Sequence, residues 1–213
     1  YKWDPKNIFN PGKIVDAAPM NKFLRYEPEM KTPEQETVFD FSASGGILRL
    51  AEKCNGSGDC RKLPGSGGTM CPSFMATRNE RDTTRGRANT LREFLTLDNK
   101  ENAFDHPEIK EALDLCLSCK GCTAECPSGV DMASMKAEFL YQYQKTNGIP
   151  LRSKAFAYIN ELNELGSIVP GIANFLLKNS FTGGLMKSFL KVAPSRNLPE
   201  ISSISLRKWY KKN

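Results

Sequence analysis

Four cysteines at a short, regular step, Cys116, Cys119, Cys122 and Cys126, followed at once by Pro127, constrain this chain more than anything else in its sequence. Thiolates are soft ligands suited to iron in clusters. Three of them, each three residues from the next in a tight loop, can wrap one cluster and bind three of its irons. Gly121 lets the backbone of such a loop approach the inorganic sulfides, and the proline turns the chain away after the last thiol. In two-cluster proteins with this run, the fourth cysteine ligates the other cluster. The pattern reads as a [4Fe–4S] binding run. A structural zinc module is the rival, but zinc sites usually show two well-separated Cys-x2-Cys pairs. Here a third cysteine follows at the same step with no histidine close by.

A degenerate partner lies upstream. Cys54-Asn55-Gly56-Ser57-Gly58-Asp59-Cys60 has cysteines at the outer positions of a Cys-x2-Cys-x2-Cys run, with Ser57 at the middle one. Cys71-Pro72 then supplies the terminal pair after ten intervening residues. Crossed ligation predicts a first cluster on Cys71, Cys116, Cys119 and Cys122. The second would have Cys54, Cys60 and Cys126, leaving one iron for Ser57, another oxygen ligand or water. A three-iron cluster, or none, stays open at that second site. Cys71-Pro72-Ser73 and Cys126-Pro127-Ser128 each close a patch ahead of a helical stretch, which suggests two halves packed around two buried sites.

Cysteine usage fits this reading. Seven thiols, an odd number confined to 54–71 and 116–126, do not suit a secreted disulfide scaffold, and no signal peptide opens the sequence. The expected location is cytoplasmic, where clustered thiols read as metal ligands. With 39% hydrophobic residues, 13 prolines and 16 glycines, the chain should be rich in loops and its core helped by something besides apolar packing. Much of the +6 net charge sits in Arg207, Lys208, Lys211 and Lys212, which read as a solvated, frayed terminus. No nucleic-acid module accompanies it. No apolar stretch approaches the roughly 18 residues needed to span a bilayer. The most apolar window, Ile168 to Leu177, contains Pro170 and Gly171, and a peripheral contact on the inner face of a membrane stays open. His106, the one histidine, reads as a helix cap or surface residue, and its solitude excludes bis-histidine haem ligation within the chain. Gly65-Ser66-Gly67-Gly68 lacks the strand–helix frame of a phosphate loop. The chain should pass electrons rather than make bonds.

Strand alternation is nearly absent, so the expected class is mainly α. Residues 83–97 place Ala88, Leu91, Phe94 and Leu95 on one helical face. Pro107 and Glu108 open a helix that would carry Ile109, Leu113 and Leu117. Asp131 opens another with Met132, Met135, Phe139 and Tyr143, ended by Asn147-Gly148. Pro150 starts a single helix running to Gly166, and shorter ones are expected over 170–179 and 183–193. The proline-punctuated N-terminal segment, without an initiator methionine, predicts a chain that begins inside a longer protein.

In combination these motifs resemble the iron–sulfur region of large FAD-linked oxidases, the family of glycolate oxidase and D-lactate or D-2-hydroxyglutarate dehydrogenases. The residues that carry the likeness are Cys54 to Cys60, Met70-Cys71-Pro72-Ser73, Thr84-Arg85-Gly86-Arg87-Ala88-Asn89 and the later cysteine run. The segment from Asp4 to Ile14 is similar to the close of that family's flavin domain, and Pro194 to Pro199 to the stretch before a following cysteine-rich domain. The resemblance implies an α-helical ferredoxin fold over 31–199. Residues 1–30 would end an upstream flavin domain, and 200–213 would lead to a missing C-terminal cysteine-rich domain. It implies oxidation of a D-2-hydroxy acid by FAD in the missing domain, with electrons leaving through the clusters to that downstream domain or another acceptor. No catalytic residue is carried over, while Asn10 and Lys13 would lie near the flavin. A separate iron–sulfur subunit of a flavoprotein, quinone-linked or heterodisulfide-type complex is the alternative.

Overall fold

The computed structural model describes residues 3–24, 26, 29–97 and 100–212. Among these there is no strand, and the expectation of a mainly α, ferredoxin-like module is borne out. In chain order the helices are α1 (Ile47–Glu52), α2 (Pro72–Thr77), α3 (Thr84–Leu97), α4 (Pro107–Asp114), α5 (Gly121–Glu125), α6 (Met132–Asn147), α7 (Leu151–Ala157), α8 (Ile159–Gly166), α9 (Pro170–Lys178), α10 (Ser180–Phe189) and α11 (Leu206–Lys212). Short 3-10 turns occupy Ser42–Ser44, Asp59–Arg61 and Glu80–Asp82. The chain divides into two compact units, Tyr1–Phe139 and Leu140–Asn213.

The first unit holds the core. α3 begins where the Thr83 hydroxyl oxygen accepts the Gly86 N–H at 2.8 Å, satisfying a donor that the helix itself cannot. Ala88, Leu91 and Leu95 then recur at helical spacing and are buried, with α1 packed on one side of α3 and α4 on another. Pro107 stands in the first turn of α4, which buries Ile109, Ala112 and Leu113. Asp131 caps α6, its two carboxylate oxygens accepting the Ser134 N–H at 3.1 Å and hydroxyl at 2.8 Å. α6 adds Met132, Met135 and Phe139 to the core. Glu138, also fully buried, accepts the Val38 and Phe39 N–H groups and so fastens the extended N-terminal segment.

Several local expectations are revised. Leu117 is not on the apolar face of α4: that helix stops at Asp114, and Leu117 is 70% exposed. The chain must leave the helix there to bring Cys116 into its loop. His106 is buried, yet its ring packs against Phe94 at 4.5 Å between centroids instead of capping α4. The single helix expected after Pro150 is broken at Tyr158, whose φ of −97° and ψ of 27° leave the helical region. α10 starts earlier than 183 because the Asn179 side chain accepts the Phe181 N–H at 2.9 Å.

The second unit is built differently. Gly183 is the one buried residue among its described residues, and a Cβ there would meet the Leu177 carbonyl oxygen at 2.5 Å. α7 packs on α8 and α9 on α10. Asn174 and Ile201 exchange hydrogen bonds of 2.9 and 2.8 Å, tying down the segment after α10. The basic tail is ordered as α11, begun by the Trp209 N–H on the Ser205 carbonyl.

Candidate metal centre

Two cavities gather the cysteines, and each draws on both patches. Cys71 lines the first together with Cys116, Cys119 and Cys122 around about 320 Å³ of space free of protein atoms, part of it open to solvent. Cys54, Ser57, Cys60 and Cys126 line the second, of about 260 Å³ by the same measure. The terminal Cys-Pro of each patch thus delivers its thiol to the other patch's loop. Among the described residues no three His, Cys, Asp or Glu side chains converge on one point as ligands of a single ion would. The thiols instead ring a space, the donor arrangement that suits a polynuclear cluster and soft-metal chemistry. Asn10 and Lys13 lie in neither cavity lining; both are exposed, in a turn closed by the Lys13 N–H on the Asn10 carbonyl at 3.2 Å.

Backbone conformation aims the thiols. Cys71 has φ 54° and ψ 65°, in the left-handed region that side chains disfavour, and it immediately precedes α2. Ser118 (φ 52°) and Lys120 (φ 59°), also left-handed, bracket Cys119. Such conformations persist only where the surroundings enforce them, and here they coincide with the cysteines.

Helix starts face two of the thiols. The Cys71 sulfur accepts the Thr84 N–H at 3.0 Å and lies 2.9 Å from the Thr84 hydroxyl. Burial pushes the Cys71 thiol up to about 11, against the opposing pull of those Thr84 contacts. Burial also raises the Cys122 thiol, opposed by backbone N–H groups of Met132 and Ala133 at the start of α6. Buried thiols stay protonated until a metal claims them, so ligation here would release protons. The Arg87 guanidinium, 2% exposed, lines the first cavity and donates to the Ala112 carbonyl at 2.8 Å and the Ser73 hydroxyl at 3.0 Å. The Lys136 ammonium donates to the Cys116 carbonyl at 2.6 Å, and desolvation lowers its pKa. Arg87 and Lys120 line the cavity with four thiols, and Lys136 holds the Cys116 carbonyl beside it, so positive charge gathers where a thiolate cluster would be anionic.

Two features that hold the patches together carry no obvious sequence signature. Glu125 accepts from the Lys62 ammonium at 2.6 Å, the Thr69 N–H and hydroxyl, and the Met70 N–H. Its carboxyl is held down to about 2, first by Lys62 and then by Thr69. At Gly121 an added Cβ would lie 3.0 Å from the Thr69 hydroxyl and 3.4 Å from the Met70 backbone, so the missing side chain also permits close packing there. The short helix α5 thereby sits close against Thr69 and Met70, which lead into Cys71.

The helical frame carries two cysteine-lined cavities, and residues 53–131, which hold every cysteine, match the family described as a 4Fe-4S dicluster domain. The iron–sulfur reading of the cysteine patches is borne out by this match. The chain is similar to the D-2-hydroxyglutarate dehydrogenases of Pantoea ananatis, 28% identical over 96% of the chain, and of Escherichia coli, 27% identical over 96%. That of Pseudomonas putida is 25% identical over 86% of the chain. The resemblance to FAD-linked oxidases read from the motifs is borne out by these relatives. The chain spans about a quarter of their length, 23% of the first two. No solved structure matches it. No helix among the described residues is long and apolar enough to cross a membrane.

Proposed function

We propose that this chain is the electron-transfer part of a FAD-linked dehydrogenase acting on a D-2-hydroxy acid of the 2-hydroxyglutarate type. It would relay electrons from a flavin in the same polypeptide to a downstream cysteine-rich domain or other acceptor. The observation that carries the reading is the sorting of all seven cysteines into two cavities, four in one and three in the other. Cys71, Cys116, Cys119 and Cys122 would hold a [4Fe–4S] cluster with a complete thiolate set. Cys54, Cys60 and Cys126 would hold a second, with Ser57 or water at the remaining iron. Clusters bound there supply one-electron chemistry. The protein's part is to exclude solvent with Met70, Met132 and Val130, to offer N–H groups to the sulfurs, and to balance charge with Arg87 and Lys136. Asn10 and Lys13 would face the flavin in the whole protein. Relatives of about four times this length, matched along nearly the whole chain, support a fused arrangement over a separate subunit.

The test is anaerobic purification of the intact protein with iron and sulfide counting and electron paramagnetic resonance (EPR). Cys71→Ala should abolish one spectroscopic component and Cys126→Ala the other, and D-2-hydroxyglutarate should reduce both in the wild type. Zinc in a colourless protein, or both components surviving Cys71→Ala, would refute the assignment.

A further inference from the structure

Thr84 is the residue common to the linings of both thiol cavities. It is the first residue of α3 and is 3% exposed. Its backbone N–H reaches the Cys71 sulfur at 3.0 Å and its hydroxyl reaches the same sulfur at 2.9 Å. A thiolate has no proton to give, so with Cys71 ligated the hydroxyl must donate, and one residue then makes two hydrogen bonds to one ligand sulfur, one from its backbone and one from its side chain. Neither partner can be replaced by water, since the cysteine and the threonine are both buried. The contact is also held in place from behind. Thr83 caps α3 through Gly86, and Arg87, one turn along, is anchored to Ala112 and Ser73.

We propose that Thr84 is a positioning and tuning residue that sets the reduction potential of the cluster in the four-thiol cavity. The inference rests on Cys71 ligating that cluster. One-electron reduction adds a negative charge that spreads onto the ligand sulfurs, and donors aimed at a sulfur stabilise the reduced form more than the oxidised one. The proton stays on the Thr84 oxygen throughout, so only an electron moves, delivered by the flavin in the whole protein or by dithionite in the test. A hydrogen bond to a charged acceptor in a dry site belongs to the stronger class. Losing one should make reduction roughly tenfold less favourable, about 59 mV for a one-electron couple.

The experiment is a mediated redox titration of the intact, anaerobically purified protein, followed by EPR. Thr84→Val keeps the shape and the backbone N–H while deleting the hydroxyl. The midpoint of one component should fall by about 59 mV, the other should not move, and iron content should stay at the wild-type level. Thr84→Ser should restore the midpoint. Unmoved midpoints with full iron content would overturn the proposal, as would equal loss of cluster in the valine and serine variants, which marks a purely structural role. If the valine variant does not load, electron–nuclear double resonance of the wild type in heavy water decides. A coupled hydroxyl proton that exchanges supports the proposal, and its absence overturns it. Retention of both components in Cys71→Ala would instead refute the ligand assignment, so the two failures are distinguishable.

Discussion

Gly86→Ala is the substitution whose sign the structure decides most directly. Gly86 lies in the first turn of α3, where an added Cβ would stand 2.4 Å from the Glu80 carbonyl oxygen and 3.0 Å from the Cα and carbonyl oxygen of Arg81. Ordinary contact begins near 3.4 Å, so the helix or the Glu80–Asp82 turn must give by about 1 Å. The turn resists, because the Glu80 carbonyl already accepts the Thr83 N–H at 3.1 Å and the Thr83 hydroxyl at 2.7 Å. Two effects oppose each other. Alanine in place of glycine inside a helix gains roughly 0.5–1 kcal/mol. Overpacking against a rigid wall costs about 1–3 kcal/mol. The overlap here is with backbone, which places the cost at the upper end and leaves a net loss of about 1–2 kcal/mol. At this chain length each kcal/mol lowers Tm by about 2–4 °C. The displacement also reaches Thr84 and its contacts with Cys71, so the EPR signal of the four-thiol site should broaden or shift. Thermal melts by circular dichroism under anaerobic conditions read the first effect. Gly184→Ala is the matched control: Gly184 also lies in a helix, with open space around its missing Cβ, and alanine there should raise Tm. A Gly86→Ala protein melting at or above the wild type, with the control behaving as expected, would show that the turn yields and the reasoning is wrong.

Other expectations are as specific. The Glu125 carboxyl is held near 2 against an ordinary value of 4.5, so its contribution to stability is fully present above about pH 4.5 and is lost as pH falls towards 2. The Tm difference between wild type and Glu125→Gln should therefore shrink across that window, and a flat difference would count against the staple. Glu138→Ala removes the acceptor from the Val38 and Phe39 N–H groups, contacts of the charged class worth about 1.5–3 kcal/mol. Limited proteolysis should then cut near those residues faster than in the wild type, and an unchanged cleavage rate would refute the tether. Cys119→Ser should lower thermal stability sharply, because ligation is also folding energy and the glycine-rich patch at 54–71 contributes Cys71 to the same cavity. A melting temperature equal to wild type would show that the cluster adds nothing to the fold.

Much of this architecture was legible because it depends on local chemistry. Proline at 107, the aspartate at 131 and the apolar spacing over 83–97 each mark a helix by a mechanism that acts within a few residues, and α4, α6 and α3 start where those signs stand. The grouping of Cys71 with 116, 119 and 122, and of Cys126 with 54 and 60, was suggested for another reason: in two-cluster proteins with this run the fourth cysteine serves the other site. What escaped depends on distant partners. Arg87, Glu125 and Glu138 look like ordinary charged helix residues. Their burial or pairing follows from carbonyls and amides about 25, 56 and 100 residues away. The break at Tyr158 carries neither proline nor glycine, and the intact apolar pattern around it predicts one helix. Asn179 did offer a sign, an N-cap side chain ahead of Ser180.

The crossing also dictates how the two patches must fold. If each patch filled its own cavity, the loops could form separately, and the chain between them would be a passive connection. Because Cys71 and Cys126 exchange places, neither cavity closes until segments more than 40 residues apart have met. Loop closure of that length carries an entropic cost that grows only slowly with further length, so the difficulty lies in holding the correct register rather than in meeting at all. Glu125 and Gly121 solve the register problem without using a thiol. The carboxylate grips Lys62, Thr69 and Met70, and the glycine lets α5 sit against the same two residues that lead into Cys71. Cys122 lies one residue beyond Gly121 and Cys126 one beyond Glu125, so fixing α5 against 69–70 fixes one thiol of each cavity in a single step. These protein bonds fix Cys122 and Cys126 without a metal, which leaves the stretches at 54–60 and 116–119 as those whose thiols are not placed by the α5 staple.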